Sequence, residues 1–349
     1  MKLVQFHSIV LLCVWSVIAR AQSSGPTMKA IVVHEFGGPE VLRYEDVPWP
    51  EPKEDQILVR VMAAGVNPVD EAARSQKFAQ FLGIKLPAIP GYDISGVVEK
   101  TGAKITKFKT GDPVYAYVAL DKGGGYAEYA AVTEKEASAK PRSLTYVEAA
   151  GVPLVALTAW QALIDTAKLG AGQTVLIHGG SGGVGTFAIQ IAKARRAKVI
   201  ATASTPNQDL LKQLGADVSI DYTQQKFEDV AKDVDVVLDS VGKDTLARSY
   251  GVVKKGGFIV SLVARPDPTE LEKHGIRGAS LGVEPNSSEL AEIGKLIDAK
   301  KIKVIVSQVF PLSEAIKAQE TGSNSSHTRQ NCSQNRGRTE VAIGHLPVV

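Results

Sequence analysis

Two rhythms of apolar and polar positions divide the chain. From Met28 to about Ser143, short runs rich in β-branched and aromatic residues alternate with turns marked by Gly and Pro: MKAIVVHEF, QILVRVMAAGV, GVVEKTG, DPVYAYVA and GYAEYAAV. This predicts a small antiparallel β-domain, a partly open barrel. Beyond SLTYVEAAGVPLVALTAWQALID the pattern alternates strand and helix: TVLIH, GTFAIQIAKARR, KVIATAS, NQDLLKQLG, DVSIDY, the helix-like TQQKFEDVAKD, VDVVLDS, a further helix, and GGFIVSLV. In the first of these helices Phe187, Ala188, Ile191 and Ala192 share one face. Strands and helices alternating at this spacing predict a doubly wound parallel sheet, hence an α/β fold class with a β-barrel domain in front. The stretch SELAEIGKLIDAKKIK reads as one more amphipathic helix, and FPLSEAIKAQE begins another with Ser313 as N-cap.

The two ends break the pattern. Lys2, the apolar run IVLLCVWSVIA and the small residues Ala19 and Ala21 around Arg20 have the form of a signal peptide over 1–21. Export to a periplasmic or extracellular space is the expectation, with no membrane span once the leader is removed, because the run is too short for one. The alternative is a cytoplasmic protein begun at Met28. After AIKAQETG the chain turns polar and aperiodic, SNSSHTRQNCSQNRGRTE. Suitable codons for Ser326 to Asn335, read one base later, encode His-Thr-Arg-Gly-Lys-Ile-Val-Leu-Lys, a strand-like ending. A frameshift near Thr321 to Ser326 is therefore one reading and a disordered tail the other. A real shift is expected to remove the last strand of the β-domain and expose a sheet edge.

Composition narrows the chemistry. The 349 residues, 44% apolar and 22% charged, suit a globular protein of two domains. A net charge of +3 with no basic cluster argues against nucleic acid as a partner. The two cysteines are Cys13 and Cys332. The long stretch between them therefore holds no disulfide framework, no cysteine-ligated zinc and no cysteine nucleophile.

The stretch HGGSGGVG, 178–185, fits two catalytic patterns. Gly180, Gly182 and Gly185 form G-x-G-x-x-G, and Gly179, Ser181 and Gly183 form G-x-S-x-G. The first needs a preceding strand and a following helix within a βαβ unit, and both are here. The glycines then permit a tight turn, and the amides at the helix start face a pyrophosphate. The second needs an acid and a histidine downstream, nominally Asp239 and His274, with Ser181 as the nucleophile of an exported hydrolase. The phosphate cradle is favoured. The strand after it ends in Ala203, Ser204 and Thr205 with no carboxylate for a ribose 2′-hydroxyl, which favours NADPH over NADH.

At this point the chain resembles the zinc-independent quinone oxidoreductases of the medium-chain dehydrogenase/reductase superfamily. The resemblance spans about 28–319 and rests on GVNPVD (65–70), IPGYDISGVVEKTG (89–102), GDPVYAY (111–117), GGYAEYAAV (124–132), PLVALTAWQAL (153–163), GQTVLIHGGSGGVGTFAIQIAKA (172–194), LGADVSIDY (214–222) and VVLDSVG (236–242). It implies a GroES-like catalytic domain over 28–150 and a Rossmann NADP-binding domain over 151–295. A return segment to the catalytic domain follows over 296–320, then the atypical tail, 321–349. NADPH and a small quinone or enone substrate would meet between the domains, without zinc, in what is expected to be a homodimer. Zinc-dependent members carry a cysteine ahead of the NPVD position and Gly-His-Glu where this chain has Gly91, Tyr92 and Asp93. Without a metal to stabilise an alkoxide, a conjugated acceptor is the tractable substrate, because its charge spreads into an enolate or phenolate.

By the same resemblance, Asn67 and Asp70 lie near the nicotinamide, with Asn67 placed to donate to the developing oxyanion. The local alternative is that both flank Pro68 as turn formers. Tyr92 either lines the pocket as a proton donor or packs. Thr158 corresponds to a nicotinamide-side contact; Gly180, Ser181, Gly182, Gly183, Val184 and Gly185 to the pyrophosphate loop; Ser204 and Tyr222 to 2′-phosphate contacts; and Val241 to a further cofactor contact. Relatives carry a lysine where this chain has Asn207, which weakens the preference for NADPH. No tyrosine follows in 71–90, which disfavours fatty-acyl thioesters. A relative that binds NADP(H) but is catalytically impaired is the alternative function.

Overall fold

The structure is a computed structural model and describes residues 25–324 and 340–344. The leader-like segment and most of the tail lie outside the described residues; of the suspected frameshift stretch, 321–324 are described and 325–326 are not. The first part of the chain is β-rich: β1 (Thr27–Val33), β2 (Leu42–Pro48), β3 (Gln56–Val66), β4 (Asp93–Thr101), β5 (Pro113–Tyr117), β6 (Tyr129–Thr133) and β7 (Ala137–Ala139). Strands β1 and β2 form an antiparallel pair of their own. The 11-residue β3 organises the larger sheet. It is antiparallel to β4 along most of its length and takes β6 beside its first half. Ile57, Val59, Ile94, Val98, Val114 and Val132 fill the interior behind it, the burial expected of β-branched residues on a pleated surface.

The second sheet contains β8 (Thr174–Ile177), β9 (Lys198–Ala203), β10 (Val218–Asp221), β11 (Val234–Asp239), β12 (Val253–Ser261) and β13 (Arg277–Ser280), all parallel, in the order β10-β9-β8-β11-β12-β13. The chain winds outward from β8 to one side and returns on the other through β11. The crevice beyond the C-terminal ends of β8 and β11 is therefore the topological switch point, where open α/β sheets bind ligands. The glycine-rich loop leaves β8 at that point and leads into the Gly183–Ala194 helix.

The two sheets are fastened together. The Ser287–Asp298 helix lies against the β-rich part, where Tyr115 donates its buried hydroxyl to the Leu290 carbonyl at 2.6 Å. At the far end of that helix, the Asp298 carboxylate accepts from the main-chain N–H groups of Arg142 and Ser143.

Three expectations need correction. TQQKFEDVAKD forms one short turn of helix, Phe227–Val230, because Asp221 takes the Thr223 N–H and hydroxyl and holds the preceding residues in a turn. Ser313 is not an N-cap; it lies inside a tight turn, Leu312–Glu314, ahead of the Ala315–Asn324 helix. Nor is the β-domain left without its last strand. After β14 (Val306–Pro311), β15 (Glu340–Gly344) enters the large sheet, antiparallel to β14 and parallel to β3 at Ala63–Val66. The sequence EVAIG carries two β-branched residues, and the position between β14 and β3 satisfies main-chain groups on both its edges.

Candidate active site between the two sheets

The glycine loop has a backbone that side chains would obstruct. A Cβ on Gly185 would collide with the carbonyl oxygen of Gly179, and one on Gly180 would come within 2.8 Å of Leu211 Cδ2. The N–H of Gly180 is spent on Thr202 and that of Gly182 on Gly179. The N–H groups of Ser181, Gly183, Val184 and Gly185 have no acceptor among the described residues, and the Gly183–Ala194 helix has no side-chain cap. Buried donors without acceptors are costly. Here they converge at the positive end of a 12-residue helix, the arrangement that fits a diphosphate.

Ser181 is buried and its hydroxyl has no hydrogen bond among the described residues, nor is a base supplied to it. Asp239 spends its carboxylate on the N–H groups of Val241 and Gly242 and the hydroxyl of Ser261. His274 Nε2 lies 3.5 Å from the Glu270 carboxylate, and its ring stacks on Tyr250. The hydrolase triad is therefore not assembled. His178, at the start of the loop, is enclosed between the hydroxyls of Thr202 and Ser249, and burial lowers its pKa to about 4, so it stays neutral. Val241 sits over the Gly179 turn, next to Ser240, which donates to the His178 carbonyl at 2.8 Å.

Ser204 and Tyr222 come together at the ends of β9 and β10. The Tyr222 N–H reaches the Ala203 carbonyl, its side chain is exposed, and Asn207 donates to Ser204 Oγ at 3.2 Å. Asp221 stands in the same corner with Thr205 and Thr223, and hydrogen bonds from those hydroxyls hold its pKa below the usual value. Thr158 is buried in the Pro153–Trp160 helix and turns its hydroxyl hydrogen inward to the Leu154 carbonyl at 2.7 Å, so only its acceptor capacity is left for a ligand.

The catalytic candidates come from the β-rich side. Asn67 ends the β3 segment and starts the Pro68–Ala73 helix, with its N–H on Asp70 Oδ2 at 2.7 Å. Its carboxamide nitrogen donates to Asp93 Oδ2 at 3.0 Å, and Asp93 Oδ1 accepts from Leu154 N–H at 2.9 Å. Asn67 and Asp93 line one crevice together with Gly65, Gly183, Thr186 and Phe187, so Asn67 lies across it from the start of the Gly183–Ala194 helix. Asp70 lies beneath it, fully buried, and desolvation raises its pKa to about 7. Asp93 is pushed upward by the same cause. Tyr92 points the other way. It lines a neighbouring crevice with Arg74, Ile84, Leu86, Leu120 and Lys122, and burial raises its phenol pKa. The structure thus unites Asn67 with the glycine loop, places Asp70 as its support, and puts Tyr92 one residue out of that crevice. Sequence reasoning missed Asp93; an acid at the head of the otherwise apolar DISGVV strand was its trace.

Comparison with known proteins agrees with this architecture. Residues 53–142 match the alcohol dehydrogenase GroES-like domain, and residues 214–328 match the family described as zinc-binding dehydrogenase. The NADPH-dependent alkenal/one oxidoreductase of Arabidopsis thaliana chloroplasts is 39% identical over 302 residues, covering 83% of this chain and 75% of that protein. The chain belongs to the medium-chain dehydrogenase/reductase superfamily, among its quinone and alkenal oxidoreductases. The quinone oxidoreductase of Mus musculus is 34% identical over 313 residues, 84% of this chain and 93% of its own. The structure of the quinone oxidoreductase from Coxiella burnetii superposes with a TM-score of 0.80 at 35% identity, covering 91% of this chain and 99% of that one. Membership makes this protein an oxidoreductase with a GroES-like domain and a Rossmann sheet. Despite the zinc-binding description, no group of three or more His, Cys, Asp or Glu among the described residues is arranged to hold a metal.

Proposed function

We propose that this oxidoreductase transfers hydride from NADPH to a quinone or to the β-carbon of an α,β-unsaturated carbonyl, without zinc. The observation that carries the reading is the shared crevice: Asn67 and Asp93 from one sheet face Gly183, Thr186 and Phe187 from the other. Bound NADPH would supply the hydride, and the chemistry belongs to the cofactor. The free N–H groups of Ser181, Gly183, Val184 and Gly185 would hold its diphosphate, and the corner of Ser204, Asn207 and Tyr222 its 2′-phosphate. That corner offers hydroxyl and amide groups that suit a phosphate, with Asp221 close by as a counterweight, so the preference for NADPH over NADH is modest.

Asn67 contributes an N–H aimed at the substrate oxygen, where negative charge grows as hydride arrives. A buried, preorganised donor there is worth about 3 kcal/mol of barrier, on the order of a hundredfold in rate. Enone and quinone acceptors need no more than this, because their charge is delocalised. The reading of zinc independence rests on the chain's own residues. No cysteine stands between Cys13 and Cys332, and Tyr92 and Asp93 occupy the place of a histidine and a glutamate.

Stopped-flow oxidation of NADPH against a panel of 2-alkenals, enones and quinones, with the protein begun at Met28, tests the proposal. Rapid oxidation with at least one conjugated acceptor, unaffected by chelators, is expected. NADPH binding without turnover across the panel would instead select the catalytically impaired relative.

A further inference from the structure

The geometry points to Asp93 as the residue that sets the orientation of the Asn67 carboxamide, a positioning residue that acts on the reaction through that amide. The inference rests on the reading of Asn67 as the oxyanion donor. Strand pairing places Asp93 opposite Gly65, two residues before Asn67. Gly65 allows the approach, since a Cβ there would come within 2.9 Å of Asp93 Cβ and 2.5 Å of the Ala150 carbonyl oxygen. Both Asp93 oxygens accept, Oδ2 from the Asn67 carboxamide and Oδ1 from the Leu154 N–H, so the nitrogen end of the amide is the end that faces it. Nitrogen must turn toward Asp93 Oδ2, and one of its two hydrogens is taken at 3.0 Å. The second hydrogen is left for the crevice that Asn67 shares with Gly183 and Phe187.

The other oxygen has a different task. Asp93 Oδ1 accepts the Leu154 N–H at the start of the Pro153–Trp160 helix at 2.9 Å. That bond is structural and would justify an acid at this position on its own. The two roles are on separate oxygens, so they are separable by experiment. Burying a carboxylate this completely is expensive, and one main-chain N–H could be satisfied by a neutral oxygen. Asp93 has a separate oxygen for each of the two bonds, whereas an asparagine at this position would have one oxygen for both.

The test is a double-mutant cycle of Asp93→Asn, Asn67→Ala and their combination, with a reversed pair, Asn67→Asp with Asp93→Asn. Measured are kcat and KM for a 2-alkenal, NADPH affinity by fluorescence, and Tm. In the Asn67 background Asp93→Asn should lower kcat about tenfold or more, with KM and NADPH affinity within about twofold; in the Asn67→Ala background it should lower kcat by less than about threefold. Equal losses in both backgrounds overturn the inference. The reversed pair keeps a donor–acceptor contact and an oxygen for Leu154 but removes the N–H from position 67. It should recover Tm while kcat stays near that of Asn67→Ala, and wild-type kcat in this variant would overturn the inference as well. A wild-type protein inactive toward every acceptor removes the reductase reading itself and this inference with it. An active wild type with a multiplicative cycle removes Asp93's role alone.

Discussion

At the scale of single residues the site is governed by burial. Among the described residues, Asn67 is the polar side chain from the β-rich part that brings an N–H donor to the crevice beside Gly183. Asn67→Ala should lower kcat about a hundredfold with little change in KM, as loss of a donor used mainly in the transition state does; steady-state kinetics with a 2-alkenal measure it. Asp70 gives a pH signature. Burial raises its folded pKa to about 7, above the ordinary carboxylate value of 3.8, so folding takes up a proton between the two. Its contribution is complete below the lower value and is lost as pH rises through the upper one. Asp93 acts in the same direction. Burial drives the rise, and the Asn67 and Gly91 N–H groups, the Tyr126 hydroxyl and the Arg74 guanidinium oppose it without cancelling it. Thermal stability should therefore fall between about pH 4 and about pH 7, and less steeply in Asp70→Asn, whose amide oxygen can still accept the Asn67 N–H. Melting curves across that range decide the matter, and parallel curves for the two proteins would refute it.

At the scale of elements, the loop from β8 into the Gly183–Ala194 helix works because its backbone closes on itself. The Gly185 position meets a carbonyl, not a flexible side chain, so nothing there can yield to a methyl group. Gly185→Ala should weaken NADPH binding by about a hundredfold or more while the parallel sheet still forms, read by fluorescence titration together with circular dichroism. Strand β15 links the tail to the site. It hydrogen-bonds Ala63–Val66, the four residues directly before Asn67. Deleting residues 340–349 should lower Tm by several degrees, on the order of 5 °C, and promote aggregation through the opened edges. It should also reduce kcat, because the strand end that carries Asn67 loses its neighbour. Retained Tm and kcat in the truncated chain would show that β15 contributes nothing.

At the scale of the whole molecule, function depends on two sheets held in one relative position. The crevice contains residues from both, and neither alone can bring an amide to a nicotinamide. The Tyr115 hydroxyl on the Leu290 carbonyl and the Asp298 carboxylate on the 142–143 main chain are among the polar fastenings, beside the Leu154 N–H on Asp93. Tyr115→Phe leaves one buried carbonyl without its partner and should cost about 1–2 kcal/mol. If the fastening also sets the crevice width, KM for the acceptor should rise while NADPH affinity holds, since the dinucleotide loop belongs to one sheet only.

Alternation of strand and helix was enough to determine the α/β class, and the glycine spacing placed a tight turn between β8 and the Gly183–Ala194 helix. These are local properties: a period, a turn and a residue type act within a few positions of themselves. Asn67 was picked out by resemblance, from its NPVD turn, and the structure puts it beside the crevice. Its partner was not, since Asp93 lies 26 residues away and meets it only through the pairing of β3 with β4. The same holds for Thr158, whose hydroxyl turns back into its own helix, and for Tyr92, which strand alternation sends to the opposite side from Asp93. A polar, aperiodic tail likewise concealed a strand that takes shape only between two edges already built. Tertiary structure decided which polar groups lost water and which partners they found, and that exchange is what makes an amide in a turn into a donor in a crevice.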